Sequence, residues 1–176
     1  YQEDAVDWFC SEEGASGKGM FWMATGTGKT ITALKTVKKL FEMDKIDRVV
    51  INTKERLLKQ WNKEMKKILP DGSEAAPWMT YEIWQTSKKK NMGMFVRSSK
   101  PGMCLFITYS FLPDFTDYCM EKGHDLSRVL LIVDEVHNIG SDTNQERMEE
   151  GAEEESIPAA EDVVNVYGKF GSRLGL

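Results

Sequence analysis

Residues 20–30 read Met-Phe-Trp-Met-Ala-Thr-Gly-Thr-Gly-Lys-Thr, an apolar run that gives way to alternating threonine and glycine and then to a lysine. The apolar part, Met20 to Ala24, is expected to form a strand, and a helix is expected from Lys29 to about Met43. A glycine-rich turn between a strand and a helix is the context in which a chain cradles phosphate groups. Gly26 and Gly28 let the backbone wrap closely, so that successive N–H groups point at phosphate oxygens. The helix start adds partial positive charge. Lys29 supplies a full charge for the β- and γ-phosphates, and Thr30 offers a hydroxyl to Mg²⁺. The general phosphate-loop pattern has glycine where Met23 stands. The alternative is a strand-to-helix turn that binds nothing.

A second segment bears on the same chemistry. Residues 129–137 read Val-Leu-Leu-Ile-Val-Asp-Glu-Val-His. Two acids directly after an aliphatic strand lie at its C-terminal end, the edge of a parallel sheet where ligands bind. Asp134 is placed to hold Mg²⁺ through water, and Glu135 to polarise a water that attacks the γ-phosphate. Asp-Glu in this position also fits a helix N-cap with an acidic first turn. The phosphate loop upstream favours the joint nucleotide reading, with ATP and Mg²⁺ as cofactors.

Between these segments, apolar runs alternate with helical patterns. Strands are expected at Arg48 to Asn52, Tyr81 to Trp84, Leu105 to Thr108 and Val129 to Val133. Lys54 to Leu69 is expected to be a helix, because Leu57, Leu58, Trp61, Met65 and Ile68 recur at helical spacing. Pro70-Asp-Gly72 stops it. Phe111 to Glu121 fits a helix with Pro113 in its first turn. The stretch from Lys88 fits a helix or a loop. The alternation implies an α/β fold, a mostly parallel sheet flanked by helices on both faces. The polar, acidic stretch of about 140–158 is expected to be a mobile loop. Arg173 to Leu176 reads as a strand just begun, and the first residues lack an initiator methionine, so the chain reads as a domain truncated at its C-terminal end.

Composition narrows the classes. The 176 residues suit one domain, and 41% hydrophobic with 29% charged residues is a soluble balance with enough apolar side chains for a core. The longest aliphatic run, Val129 to Val133, is too short to span a bilayer, and no signal peptide is visible. Three scattered cysteines, Cys10, Cys104 and Cys119, fit buried thiols in an intracellular protein. The net charge is −5, yet Lys54 to Lys67 is locally basic.

Taken together these segments resemble superfamily 2 helicases and translocases of the DExH type. Residues 24–30, Ala-Thr-Gly-Thr-Gly-Lys-Thr, are similar to that family's motif I, which does not need the first glycine. Asp134-Glu-Val-His137 is similar to its motif II. Tyr1-Gln2 with Ala5 is similar to the glutamine motif, which implies that Gln2 reads adenine. Val49 to Trp61 is similar to motif Ia, without the family's usual proline after the strand. Phe106 to Ser110 is similar to the next segment, along the nucleic-acid track, and Arg173 to Leu176 to the residues before motif III. The resemblance implies one RecA-like P-loop lobe spanning residues 1–176, with ATP held by Gln2, Thr25, Gly26, Thr27, Gly28, Lys29 and Thr30. It implies Lys29 and Glu135 as catalytic residues, Thr30 and Asp134 at the metal, and His137 coupling the nucleotide site to motif III. It also implies a second RecA-like lobe, absent from this chain, whose arginines complete the site.

The resemblance to motif Ia implies phosphate contact near the start of that helix, at Thr53 and Lys54, and Thr108 and Tyr109 are placed to donate hydroxyls to a nucleic-acid backbone. The basic helix reads equally as a solvated face. Trp8, Phe9, Trp22, Phe41 and Trp61 read as core rather than as stacking platforms. The expectation is the ATP-binding lobe of a nucleic-acid helicase or translocase, an ATP hydrolase poorly active by itself. The other reading is a non-motor P-loop ATPase that acts as a nucleotide-dependent switch.

Overall fold

Three short apolar runs, residues 49–51, Met103–Ile107 and Val129–Val133, form the centre of a single parallel sheet, and more polar segments complete it. The computed structural model describes residues 1–14, 16–24, 26–68, 79–83, 88–98, 101–136 and 165–176. Six strands are formed by these residues: β1 (Lys18–Met20), β2 (Arg48–Asn52), β3 (Met79–Ile83), β4 (Met103–Ile107), β5 (Val129–Val133) and β6 (Ser172–Gly175). They lie in the order β1-β6-β5-β2-β4-β3, and every pairing is parallel. The helices are α1 (Gln2–Cys10), α2 (Lys29–Glu42), α3 (Glu55–Ile68), α4 (Lys88–Arg97) and α5 (Leu112–Glu121). A turn of 3₁₀ helix, Tyr109–Phe111, leads into α5, which carries Pro113 in its first turn.

The two faces of the sheet sort by the period-two rule of a strand. Val49 and Ile51 of β2, Cys104 and Phe106 of β4, and Leu130 and Ile132 of β5 face α1, α2 and α3. Val50, Leu105, Ile107, Leu131 and Val133 face the opposite way, with Met92 and Phe95 of α4 and Phe115 of α5. Burial on both faces is why these strands read as continuous hydrophobic runs. At the N-terminal end of β5, Arg128 donates to both Asp44 and Asp47, and its hydrogen bond holds the Asp47 carboxyl below the usual range.

The α/β expectation holds, with differences at particular elements. The first strand ends at Met20 rather than running to Ala24, because its ladder to β6 stops at Met20↔Gly175. One further rung, Phe21 N–H to the Gly175 carbonyl at 2.9 Å, closes the edge, and Trp22 to Ala24 continue past it. Trp22 is consequently 90% exposed and Trp8 is 52% exposed, so neither belongs to the core expected of them. Phe9 and Trp61 do, and Phe41 packs at its margin. Residues 88–97 are helical, which resolves the helix-or-loop alternative. Helix α1 had no signal beyond Tyr1-Gln2 and Ala5; it forms because Val6, Phe9 and Cys10 bury one face against the core. The acidic stretch of about 140–158 lies outside the described residues. No described helix is long and apolar enough to cross a membrane.

A candidate nucleotide and metal site

Strands β1 and β5 flank β6, so the turn after β1 and the acids after β5 emerge at the same edge of the sheet, one strand apart. The turn is shaped by its glycines. Gly26 and Gly28 have φ of 81° and 94°, a region that side chains with a Cβ rarely adopt. Helix α2 begins at Lys29 with Gly28 as its N-cap and no side-chain cap. Its first-turn N–H groups therefore have no side-chain acceptor, the condition that makes a helix start receptive to an anion. A Cβ placed on Gly26 would meet nothing within 4 Å, so the turn borders open space. Within the turn, the Thr27 hydroxyl donates to the Ala24 carbonyl at 2.6 Å. Lys29 lines a cleft of about 220 Å³ together with Phe21, Trp22, Met23, Ala24 and Val136.

Gln2 reaches this turn from α1. Its Nε2 donates to the Thr27 carbonyl at 2.9 Å. A Cβ on Gly28 would lie 2.6 Å from that same nitrogen. Glycine at 28 thus serves two needs, a left-handed backbone and the close approach of Gln2. The amide is engaged with the glycine turn itself.

On the other side of β6, Asp134 follows β5 and is 8% exposed. Its N–H donates to the Asn52 carbonyl at 3.0 Å. Its Oδ2 accepts from the Thr53 hydroxyl and from the Trp61 indole Nε1–H, both at 2.9 Å. The Tyr109 hydroxyl donates to its carbonyl. Among the described residues no cation pairs with this carboxylate. Glu135 has φ of 53°, a left-handed conformation that costs a residue with a side chain roughly 1–3 kcal/mol. Strain of that size at an acidic residue on the ligand edge of a sheet fits a functional position.

The donor set suits the expected ligands. A hydroxyl at Thr30 and a carboxylate at Asp134 are the hard oxygen donors a magnesium ion takes. The start of α2 beside Lys29, which has no side-chain cap, matches a polyphosphate. Thr25 and His137 lie outside the described residues.

Three residues expected to touch a nucleic-acid backbone are turned inward. Thr53, Thr108 and Tyr109 are 0%, 2% and 4% exposed. Thr53 and Tyr109 are engaged with Asp134, and the Thr108 hydroxyl pairs with that of Ser110 at 3.2 Å. Thr53 and Tyr109 hold Asp134 in place, Thr53 from the residue after β2, the neighbour of β5, and Tyr109 from the 3₁₀ turn that follows β4. Lys54 is half-buried at the start of α3. Trp61 was legible only as core. A buried indole N–H must find an acceptor, and that requirement was the available signal for its second role. The cysteines take no part in this site, being buried thiols whose titration is pushed upward, Cys10 to about 11 and Cys119 to about 12.

The glycine turn, the helix start and the acids at one edge of a doubly covered parallel sheet define a RecA-like P-loop lobe. The model of the type III restriction enzyme res subunit family matches residues 1–160, and the chain belongs to that family. Its fold is that of the first RecA-like lobe of superfamily 2 helicases. It superposes on the SWI2/SNF2 ATPase core of Sulfolobus solfataricus, solved with double-stranded DNA, with a TM-score of 0.61 at 17% identity. That match takes in 100% of this chain and 31% of the other. A nuclease-deletion mutant of the type ISP restriction-modification enzyme LlaGI, solved with a DNA substrate mimic, gives 0.54 at 18% identity. There the match takes in 99% of this chain and 16% of the other. The chain therefore spans less than a third of the length of either protein. No curated protein is found to match it.

Proposed function

We propose that the chain is the ATP-binding lobe of a nucleic-acid motor, hydrolysing ATP with Mg²⁺ and coupling that reaction to movement on, or unwinding of, DNA or RNA. The observation that carries the reading is the placement of the glycine turn and Asp134-Glu135 on either side of β6, at one edge of the sheet. Family membership supports it.

Each residue has a task in this reading. The backbone from Thr25 to Gly28 and the first turn of α2 receive the phosphates, and Lys29 neutralises the outer two. Gln2, bonded to Thr27, ties recognition of the adenine edge to the shape of the phosphate loop. Thr30 and Asp134 would hold the magnesium ion, which supplies charge neutralisation across the β- and γ-phosphates. Glu135 orients a water and takes its proton. His137 links this site to the segment that follows β6. A second RecA-like lobe in a longer chain supplies arginines. Such arginines are worth on the order of 10³–10⁵ in rate, so this lobe alone turns over slowly.

Nucleic acid is proposed to lie along the outer face of α3. Arg56, Lys59, Lys63 and Lys66 are exposed at spacings of three and four, opposite the buried Leu58, Trp61 and Met65. Among the described residues none of the four is in an ion pair, whereas Lys67 is bound to Glu64 at 2.8 Å. Contacts of this kind are to phosphates and tolerate any base sequence. The inward-turned hydroxyls of Thr53, Thr108 and Tyr109 leave the lysines and arginine as the contacts.

Calorimetric titration of Mg·ADP into the chain, beside Lys29→Ala, tests the site. Binding in the first and none in the second is the expected result. Equal binding in both would place the ligand elsewhere. In a longer protein carrying both lobes, ATP hydrolysis is expected to be stimulated by nucleic acid. Hydrolysis indifferent to it would favour a nucleotide-dependent switch instead.

A further inference from the structure

The indole of Trp61 points its one polar atom at the acid proposed to hold the metal. Trp61 is 1% exposed and Thr53 is 0% exposed, and both donate to the same oxygen, Oδ2 of Asp134, at 2.9 Å. Thr53 follows β2, while Trp61 sits on the inner face of α3. With the Tyr109 hydroxyl on its carbonyl and its N–H on Asn52, Asp134 is held at four points from three neighbouring segments.

A carboxylate has two oxygens and about four acceptor positions. Two donors on Oδ2 leave Oδ1 with no hydrogen bond among the described residues. The donors are neutral, so they orient the charge without cancelling it. A nearly dry carboxylate without a cation is costly, and a divalent ion at Oδ1 would relieve that cost. Packing alone does not require the arrangement, since a purely apolar side chain needs no acceptor in the core, whereas a buried indole N–H does. We propose that Trp61 and Thr53 are positioning residues for the divalent ion: they clamp Oδ2 of Asp134 so that the carboxylate meets the metal through Oδ1 in one orientation. The inference rests on the reading of Asp134 as the metal-side acid. Partners that fix a ligand's orientation set metal affinity as well as the ligand does.

Mn²⁺ and ADP serve as probes, with Mn²⁺ followed by electron paramagnetic resonance. The chain, Trp61→Phe, Thr53→Val and Lys29→Ala are compared. ADP affinity is measured in EDTA, and Mn²⁺ affinity is measured at saturating ADP. Trp61→Phe and Thr53→Val are each expected to weaken Mn²⁺ by roughly tenfold, with ADP binding in EDTA unchanged. A purely structural role predicts the opposite, a loss of both together or of neither. Wild-type Mn²⁺ affinity in a folded Trp61→Phe protein overturns the proposal. Should Trp61→Phe not fold, Thr53→Val carries the test, because valine keeps the shape of threonine and lacks its donor. Wild-type Mn²⁺ affinity in that variant likewise overturns it. Lys29→Ala separates the nucleotide site from the metal clamp. ADP binding lost in Lys29→Ala, but no Mn²⁺ bound by the wild type, overturns the metal clamp and leaves the nucleotide site standing. ADP binding equal in wild type and Lys29→Ala overturns both.

Discussion

Glu135 stands two residues past the end of β5 with its backbone left-handed at φ 53°, and that conformation makes its two proposed properties separable. Glu135→Gln keeps the shape and removes the base, so hydrolysis in the two-lobed protein should fall by about 10²–10⁴ with nucleotide binding retained. Glu135→Gly should lower hydrolysis at least as far, yet without loss of stability. Relief of the left-handed backbone, roughly 1–3 kcal/mol, outweighs or matches the entropic penalty of glycine, roughly 0.5–1 kcal/mol. Urea unfolding of the chain measures this; a clear drop in midpoint would mean that the side chain's contacts, not function, hold the conformation. At this scale the placement of the candidate site was legible. The spacing of Gly26, Gly28 and Lys29 marked a turn that opens a helix, and the aliphatic run before Asp134-Glu135 marked the end of a strand. The clamp on Asp134 was not legible, because Thr53, Trp61 and Tyr109 are separated from it by 81, 73 and 25 residues.

Helix α3 shows how one element serves two surfaces. Its inner stripe, Leu58, Trp61 and Met65, enters the core, and its outer stripe carries Arg56, Lys59, Lys63 and Lys66. Lys59→Ala with Lys63→Ala should leave folding and ADP binding intact, since both residues are exposed and make no described ion pair. In the longer protein the pair should weaken nucleic-acid binding and reduce the salt slope by about 0.9 for each phosphate no longer neutralised. Unchanged affinity and slope would remove this face from the track. The helical period made α3 legible from sequence, because an apolar stripe repeated over several turns specifies a face without knowledge of its partner. Strand β1 shows the converse. Met20 to Ala24 is apolar enough for a strand, yet only Lys18 to Met20 find a partner strand, and Trp22 is left in solvent. Strand bounds belong to a pair, so a single apolar run does not contain them.

Across the whole molecule, β6 is the keystone of the site. β1 pairs with no strand except β6 among the described residues, and β6 joins it to β5. The glycine turn and the acids are thus held in register by Ser172–Gly175, residues far from both in sequence. Leu174 is fully buried between the two sides. Leu174→Ala should cost about 2–5 kcal/mol and also weaken ADP binding at temperatures where the protein remains folded. Leu105→Ala on β4, equally buried but on the far side of the sheet, should cost a similar amount and spare ADP binding. Equal ADP affinity in the two variants, measured by calorimetry, would deny β6 this role.

The amino-acid sequence by itself determined the α/β class, the helices α2 and α3, the strands β2 and β5, and the positions of the glycine turn and the acid pair at the ends of their strands. These are properties of adjacent residues or of short periods, and local backbone geometry reads them directly. Only the tertiary structure decided the strand order, the insertion of β6 between β1 and β5, and the inward turn of Thr53, Thr108 and Tyr109. It alone decided that an indole on α3 would meet the carboxylate after β5. Those features depend on which distant segments become neighbours, and that choice is made by packing the whole core at once.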